Sequence, residues 1–144
     1  MKIKIINKST NEIPSYATEH SAGMDLRAFL PNSIVLQPME RQMIPTGIYI
    51  ELPDGYEAQI RCRSGLAIKN GISVINGIGT VDTDFRGELC VLLVNLSKKL
   101  FTINNGDRIA QMVIKKYEKC EWEQVNELSE TERGEGGFSS TGIK

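Results

Sequence analysis

The sequence lacks much of what several common enzyme classes require. It has one histidine and three cysteines among its 144 residues. With His20 as the sole imidazole, we do not expect a Ser-His-Asp or Cys-His catalytic site. The cysteines show no CxxC spacing, which argues against a zinc site and a disulfide framework. The absence of a GxxxxGK[ST] motif excludes a P-loop nucleotidase.

Excess charge and long hydrophobic runs are lacking as well. The chain has 17 Lys and Arg against 18 Asp and Glu, a formal net charge of −1, whereas non-specific duplex binding relies on many cationic phosphate contacts. No apolar run approaches the roughly 20 residues that span a bilayer. The first residues, MKIKIINK, do not form the long hydrophobic region of a secretory signal. We therefore expect a cytoplasmic protein whose partners include neither nucleic acid nor membrane.

Short runs of alternating polar and apolar residues are what the sequence does contain. They indicate strands, and their density predicts an all-β sandwich or barrel. The run 89–94 is apolar on both faces and predicts a central strand. Turn residues at 53–55 and 104–107 separate strands. One short helix is predicted over 66–69, capped by Ser64 and ended by Asn70-Gly71. The predicted strands cover residues 2–5, 47–52, 56–61, 72–75, 89–94, 100–103 and 108–114.

The C-terminal segment differs from the rest of the chain. It has four glycines in its last twelve residues and cannot build a core of its own. One interpretation is a frayed terminus; the other is a mobile lid that wraps around a ligand. Phe138 favours the lid, because an aromatic ring amid small residues could stack on a ligand ring. We therefore expect a domain over 1–132 and a mobile Gly-rich arm over 133–144.

Four polar clusters flanked by glycine could carry chemistry. In the first cluster, residues 22–28, Asp25 could form an Asx-turn or lie near a divalent metal. The second, residues 63–67, begins a helix and could serve as its cap or as an anion site. The third, residues 76–88, indicates a tight hairpin, either an ordinary one or one that faces a ligand. Together they indicate a phosphorylated small molecule with a metal. The clusters are AGMDLRA (22–28), RSGLA (63–67), NGIGTVDTDFRGE (76–88) and GDRIAQ (106–111).

With RGEGGFSSTG (133–142), these clusters resemble the five ordered motifs of trimeric dUTP diphosphatases (dUTPases), at the family's order and spacing. The resemblance implies a jelly-roll-like β-barrel subunit with one short helix, assembled as a homotrimer. It implies hydrolysis of dUTP to dUMP and diphosphate with Mg²⁺ on the triphosphate, which keeps uracil out of DNA and supplies dUMP for dTMP synthesis. In this family each active site draws on three subunits, and the fifth motif closes over the substrate from a neighbour.

The resemblance also implies a role for each motif residue. Asp82 is expected to be the general base that activates the attacking water, and Asp25 to reach Mg²⁺ through a metal-bound water. The expected phosphate ligands are Arg63, Ser64, Gly65 and Gln111, with Arg133, Ser140 and Thr141 on the γ-phosphate. The expected nucleoside contacts are Asn76, Gly79, Thr80 and Val81 on the uracil edge, Phe138 stacked on the ring, Phe85 on the deoxyribose, and Cys90 nearby.

Three residues depart from the family pattern. Phe85 replaces the usual tyrosine, so a hydroxyl contact is lost while the ring can still exclude a 2′-hydroxyl. Cys62 replaces a proline, either as a neutral change or as a redox-sensitive thiol between two arginines. Ser139 stands where glycine is usual.

Two other functions remain open on the same scaffold. A dCTP deaminase shares the fold but lacks the Arg-Gly-x-Gly-Gly-Phe arm. A non-catalytic nucleotide-binding or signalling protein could lose Asp82 or the arm, and both are present here.

Overall fold

The structure of the protein is a computed structural model that describes residues 1–137. Strands dominate this part of the chain, and a single short helix interrupts them, so the predicted all-β class is confirmed. The elements are β1 (Lys4–Asn7), β2 (Met24–Arg27), β3 (Ile34–Leu36), β4 (Arg41–Pro45), β5 (Ile48–Glu51), β6 (Tyr56–Arg61), α1 (Ser64–Asn70), β7 (Ile72–Val74), β8 (Gly79–Val81), β9 (Cys90–Asn95), β10 (Phe101–Ile103) and β11 (Arg108–Lys116).

The strands of residues 1–137 form four sheets rather than one continuously hydrogen-bonded barrel. Their orders are β1-β5, β10-β3, β2-β11-β6-β8 and β4-β9-β7. Every pairing is antiparallel. Strand β9 lies in the middle of its sheet, as its two apolar faces predict.

The predicted turns are present, but they do not close hairpins. Tyr56 N–H donates to Pro53 O (3.2 Å), yet β5 pairs with β1 while β6 pairs with β11 and β8. The third cluster behaves in the same way, because β8 pairs with β6 and β9 pairs with β4 and β7. The predicted tight hairpin at 76–88 is therefore wrong. Its second half, residues 82–89, is a loop that carries the chain from one sheet to another, and we call it the 82–89 loop.

The core lies between these sheets. Large side chains from several of them are fully buried, among them Leu26, Leu36, Ile44, Leu93 and Ile103. At 25 cal/mol per Å² of apolar area, each such side chain contributes about 1.5–3 kcal/mol when buried. The sheets are therefore held to one another by side-chain packing where backbone hydrogen bonds do not join them.

The helix confirms one prediction and corrects another. Gly71 ends it in the left-handed conformation (φ 65°), and its N–H donates to Ala67 O at 3.1 Å. Ser64 is the first helical residue and not the cap; Arg63 occupies that position and makes no side-chain cap bond. With seven residues and none of them buried, α1 depends on its neighbours for stability. No helix within residues 1–137 has the length and apolar character to cross a membrane.

The described part of the tail, residues 117–137, contains no strand or helix. At its start, the N–H of Tyr117 donates to Gly55 O, in the turn between β5 and β6, at 3.0 Å. Beyond it even large apolar side chains are exposed, Trp122 at 93% and Leu128 at 87%. The tail therefore adds nothing to the core of its own chain.

Candidate active site

Three of the five motifs meet on the sheet that contains β11. Gln111 of β11 lies opposite Asp25 of β2 on one side and opposite Arg61 of β6 on the other. Cross-strand partners share a face of a sheet, so the side chain of Gln111 lies between the first and second motifs. Asp25 belongs to a strand and not to the predicted loop, because pairing with β11 overrides the turn preference of its Gly and Asp residues.

Asp25 is held by two guanidinium groups. Its Oδ1 accepts from Arg63 Nε at 2.8 Å and its Oδ2 from Arg108 Nη1 at 3.2 Å. Arg63 Nη1 also donates to Arg108 O at 3.3 Å. The side chains of Asp25 and Arg63 are only 31% and 26% exposed, so their pair is less screened than a surface pair. Arg108 lies within the fourth motif but was not among the predicted phosphate ligands.

The side-chain amide of Gln111 lies between the backbone just before the second motif and Gly23 of the first motif. Its Nε2 donates to Cys62 O at 3.1 Å. A Cβ at position 23 would lie 2.6 Å from Gln111 Oε1, so Gly23 provides the space that the amide occupies. Ser64 and Gly65 follow at the exposed start of α1, where a Cβ on Gly65 would meet nothing within 4 Å. We call Asp25, Arg63, Ser64, Gly65, Arg108 and Gln111 the basic cluster.

The third motif surrounds a separate cavity of about 300 Å³. Apolar side chains form most of its lining and a few polar groups converge on it, which is typical of small-molecule sites. We call it the loop cavity. It brings together every residue that the sequence analysis placed on the nucleoside within the described part of the chain: Asn76, Gly79, Thr80, Val81, Phe85 and Cys90, with the predicted base Asp82.

A turn places Asn76 at this cavity. Gly77 N–H donates to Val74 O at 3.0 Å, and Gly77 adopts φ 71°, a conformation that favours glycine. A Cβ on Gly79 would lie 3.3 Å from Asn76 Nδ2 and 3.2 Å from Ile60 Cβ. The absence of a side chain at Gly79 therefore lets the Asn76 amide lie against the backbone of β8.

The 82–89 loop folds Phe85 back over its own backbone. Phe85 N–H donates to Asp82 O at 3.2 Å, and a Cβ on Gly87 would lie 2.5 Å from Phe85 Cζ. Arg86 Nη1 donates to Thr83 O (2.7 Å) and Phe85 O (3.0 Å). The arginine therefore closes the turn through two backbone carbonyl groups.

Cys90 begins β9 beside this loop, as expected. Burial raises the pKa of its thiol above the ordinary value, and the charge of the nearby Glu88 carboxylate raises that pKa further. At neutral pH Cys90 is therefore a neutral, weakly polar group in the cavity wall.

Within one chain the basic cluster and the loop cavity are far apart. Asp25 lies on β2 and Asp82 directly follows β8, and β11 and β6 lie between these strands. Three strand spacings of about 4.8 Å each place them about 14 Å apart across the sheet. The motifs thus form two half-sites.

The fifth motif is only partly described. Arg133 is exposed, and its Nε donates to Gly136 O at 2.8 Å; within residues 1–137 it joins neither half-site. Phe138, Ser139, Ser140 and Thr141 lie outside the described residues.

Comparison with known proteins shows which family the chain belongs to. The dUTPase family model matches residues 9–142. The chain belongs to the dUTPase family. It is 58% identical over 142 residues to the deoxyuridine 5′-triphosphate nucleotidohydrolase of Finegoldia magna, covering 99% of both chains. It is 57% identical over 140 residues to that of Cytophaga hutchinsonii, covering 97% of this chain and 91% of the relative.

Solved dUTPase structures share the fold. A mutant dUTPase of Staphylococcus bacteriophage 80alpha with bound dUpNHpp superposes with a TM-score of 0.88 at 26% identity, over 99% of each chain. A mutant of the S. aureus phage phi11 dUTPase, which has a structural Mg(II) ion, superposes with a TM-score of 0.81 at 22% identity. That match covers 90% of this chain and 100% of the phage chain.

Proposed function

We propose that this dUTPase family member hydrolyses dUTP to dUMP and diphosphate. The observation that carries the proposal is the loop cavity, where the uracil-edge residues, Phe85 and the carboxylate of Asp82 line one space of about 300 Å³. The names of the relatives and the dUTP analogue bound by the 80alpha enzyme support the same substrate. In a cell this reaction would keep uracil out of DNA and supply dUMP for dTMP synthesis.

Uracil is recognised in the loop cavity by hydrogen-bond polarity. The Asn76 amide and the backbone of Gly79 to Val81 present donors and acceptors to its edge. Cytosine would leave these groups unpaired, and buried polar groups without partners can support discrimination of about 10⁴–10⁵. Thymine carries an additional methyl group, which we expect the apolar wall of this cavity, including Ile60, to exclude. Phe85 packs on the deoxyribose.

Asp82 is the general base. It is exposed at the end of β8 and lines the cavity, so it can reach a water beside the substrate's α-phosphorus. The carboxylate can accept the proton only when it is held within about 2.6–3.2 Å of that water. The water attacks in line and diphosphate leaves, without a covalent intermediate.

The basic cluster binds the triphosphate. Arg63 and Arg108 supply cationic donors, Gln111 an amide, and Ser64 and Gly65 a hydroxyl and backbone N–H groups at the exposed start of α1. Because Asp25 already neutralises part of the two guanidinium charges, the cluster keeps a net positive charge of roughly one. That excess attracts the polyanionic substrate.

The residues fit a Mg²⁺ ion that arrives with the substrate. No group of three His, Cys, Asp or Glu side chains within residues 1–137 could enclose a metal, and both Asp25 oxygens already accept hydrogen bonds. Mg²⁺ dehydrates reluctantly and is often held by phosphates and one carboxylate with its waters retained. Asp25 would hold such an ion through water, and the ion would offset phosphate charge.

A complete site requires more than one chain. A base that must lie within about 3.2 Å of the attacking water is separated from Asp25 of its own chain by about 14 Å of sheet. We therefore assign the two half-sites of each active site to different subunits of a homotrimer. The exposed Trp122 and Leu128 of the tail support a segment that packs on a neighbour. We propose that residues 1–132 form the β-domain and residues 133–144 an arm, which would bring Arg133, Ser140 and Thr141 to the γ-phosphate and Phe138 to uracil.

Product analysis across four nucleotides tests this function. Diphosphate and ammonia release would be measured from dUTP, UTP, dTTP and dCTP with Mg²⁺. We expect diphosphate from dUTP alone and ammonia from none. Ammonia from dCTP would show a deaminase, and tight dUTP binding without diphosphate would show a non-catalytic binding protein.

A further inference from the structure

The 82–89 loop is fastened to the turn between β4 and β5, at the end opposite Asp82. Leu89 N–H donates to Ile48 O at 2.8 Å. Thr46 Oγ1 donates to Leu89 O at 2.5 Å and accepts from Ile48 N–H at 3.2 Å. Thr46 is 1% exposed and Leu89 2%. These buried bonds fix where the loop ends, but they act on Leu89 and not on the loop's side chains.

Glu88 also holds the loop to this turn, through a hydrogen bond of its side chain. Its Oε1 accepts from Gly47 N–H at 2.7 Å, and Glu88 also lines the loop cavity. Because Glu88 belongs to the loop and Gly47 to the turn between β4 and β5, this bond fixes the position of the loop relative to that turn.

Gly47 is a rigid point of attachment. It adopts φ 70°, and a Cβ there would lie 2.7 Å from Ser9 Cβ and 2.8 Å from Ser9 N. Its carbonyl accepts from Lys8 N–H at 2.8 Å. The N–H that Glu88 binds therefore has little freedom to move.

The other end of the loop is fastened beside Asp82. Thr83 Oγ1 donates to Tyr56 O at 2.8 Å and lies 3.2 Å from Tyr117 Oη. With Thr83 and Glu88 both held, only residues 84–87 span the open stretch between them. Phe85 lies within this stretch, and its N–H donates to Asp82 O at 3.2 Å, so the spacing of the two ends bears on both residues.

We propose that Glu88 is a positioning residue for dUTP hydrolysis: its hydrogen bond to Gly47 fixes the 82–89 loop so that Asp82 and Phe85 face the substrate. The inference rests on the function proposed above and extends it to a residue that does not touch the reacting atoms. The geometry assigns the effect to the acceptor oxygen of Glu88. Its negative charge is not required.

Two substitutions separate the acceptor from the charge. Glu88→Gln keeps an Oε1 that can accept from Gly47 N–H but removes the charge, whereas Glu88→Ala removes both. Small displacements of catalytic groups can cost up to about 10²-fold in rate, so we expect Glu88→Ala to lower kcat roughly tenfold to a hundredfold, and Glu88→Gln to recover most of that loss. Glu88→Met, close in size but without an acceptor, should match Glu88→Ala and serves if the cavity left by alanine prevents folding.

The matched control is Glu51→Ala. Glu51 is a carboxylate of β5 whose exposed ion pair with Lys4 (2.8 Å) lies outside both half-sites. Its kcat should stay near that of the wild type. Circular dichroism and size-exclusion chromatography on every variant normalise the rates to folded protein.

Cys90 gives a readout that is independent of hydrolysis. The charge of Glu88 contributes to the raised pKa of this thiol, so Glu88→Gln and Glu88→Ala should both lower the pH at which Cys90 is alkylated, as measured by peptide mass spectrometry. A low kcat in Glu88→Gln equal to that of Glu88→Ala would overturn the proposal in favour of the charge. Wild-type kcat in folded Glu88→Ala would overturn it outright. A wild-type enzyme inactive on dUTP would instead refute the proposed function, and the alkylation shift would still report on Glu88.

Discussion

Mixing two inactive variants tests whether the half-sites of one active site come from different chains. Asp82→Asn keeps the basic cluster and loses the base. Arg63→Gln keeps the loop cavity and loses the guanidinium that binds Asp25 at 2.8 Å. Loss of a positioned base typically costs about 10²–10⁴-fold, and loss of one preorganised donor to the reacting group about 10²–10³-fold, so each variant alone should be nearly inactive.

The expected recovery follows from the strand order. Asp82 and Arg63 act in the same site only if they come from different chains. Asp82 follows Val81, which pairs with Ala58 of β6, and Arg63 lies five residues beyond Ala58, about 16 Å away at 3.3 Å per residue. Random mixing of equal amounts makes about three-quarters of cyclic trimers mixed, and each mixed trimer has one site with both residues intact. About a quarter of all sites should therefore regain activity.

The assay is diphosphate release from dUTP after the two variants are unfolded together and refolded. Each variant refolded alone gives the background, and refolded wild type gives the full scale. Native mass spectrometry confirms mixed trimers. If mixed trimers form and activity stays at background, the half-sites belong to one chain and the argument from strand order is refuted.

Four further outcomes are expected. Asp82→Asn should bind a non-hydrolysable dUTP analogue with nearly unchanged affinity, measured by calorimetry; a large loss of binding would show that Asp82 holds substrate instead of acting as a base. Gly23→Ala should raise KM for dUTP, since its Cβ would lie 2.6 Å from Gln111 Oε1; an unchanged KM would remove Gln111 from the phosphate site. Because burial raises the pKa of Cys90, its alkylation rate should rise at a higher pH than that of free cysteine, and bound analogue should slow it. Phe138→Ala should lower turnover with the melting temperature unchanged, whereas a large drop in melting temperature would make Phe138 a packing residue.

The alternation of polar and apolar residues predicted the strands that have one apolar face, but it missed four other strands. β2 contains Asp25 and follows Gly23, so its composition indicates a turn, and only pairing with β11 makes it a strand. β8 is a three-residue strand that begins at Gly79, too short to show a period of two. β3 and β4 were missed as well.

Topology was less predictable than the elements themselves. A tight turn between two strands suggests a hairpin, yet β5 and β6 pair with strands far away in the sequence. The choice is made by which apolar faces must cover one another in the core, and a local pattern does not contain that information.

The motifs identified most of the candidate site residues but not their arrangement. The family resemblance implied phosphate and magnesium roles for Asp25, Arg63 and Gln111, and the structure brings these three residues together. Arg108 and Glu88 were missed, because their partners, Asp25 and the backbone of Gly47, are distant in sequence.

The pairing of β2 with β11 has a consequence for how the chain folds as it is synthesised. Met24 has its partner at Met112, and β11 also pairs with β6, so the four-stranded sheet lacks its second strand until nearly the whole chain has been made. At about 5–20 residues per second, the ribosome needs roughly 5–20 s to synthesise that interval. During this time β2 lacks β11, the neighbouring strand to which its backbone is hydrogen-bonded in the folded chain. Pairings of such long sequence separation also slow folding itself to about milliseconds to seconds. The nascent chain is therefore exposed to aggregation for longer than the completed one, and its dependence on chaperones should be greatest before β11 leaves the ribosome.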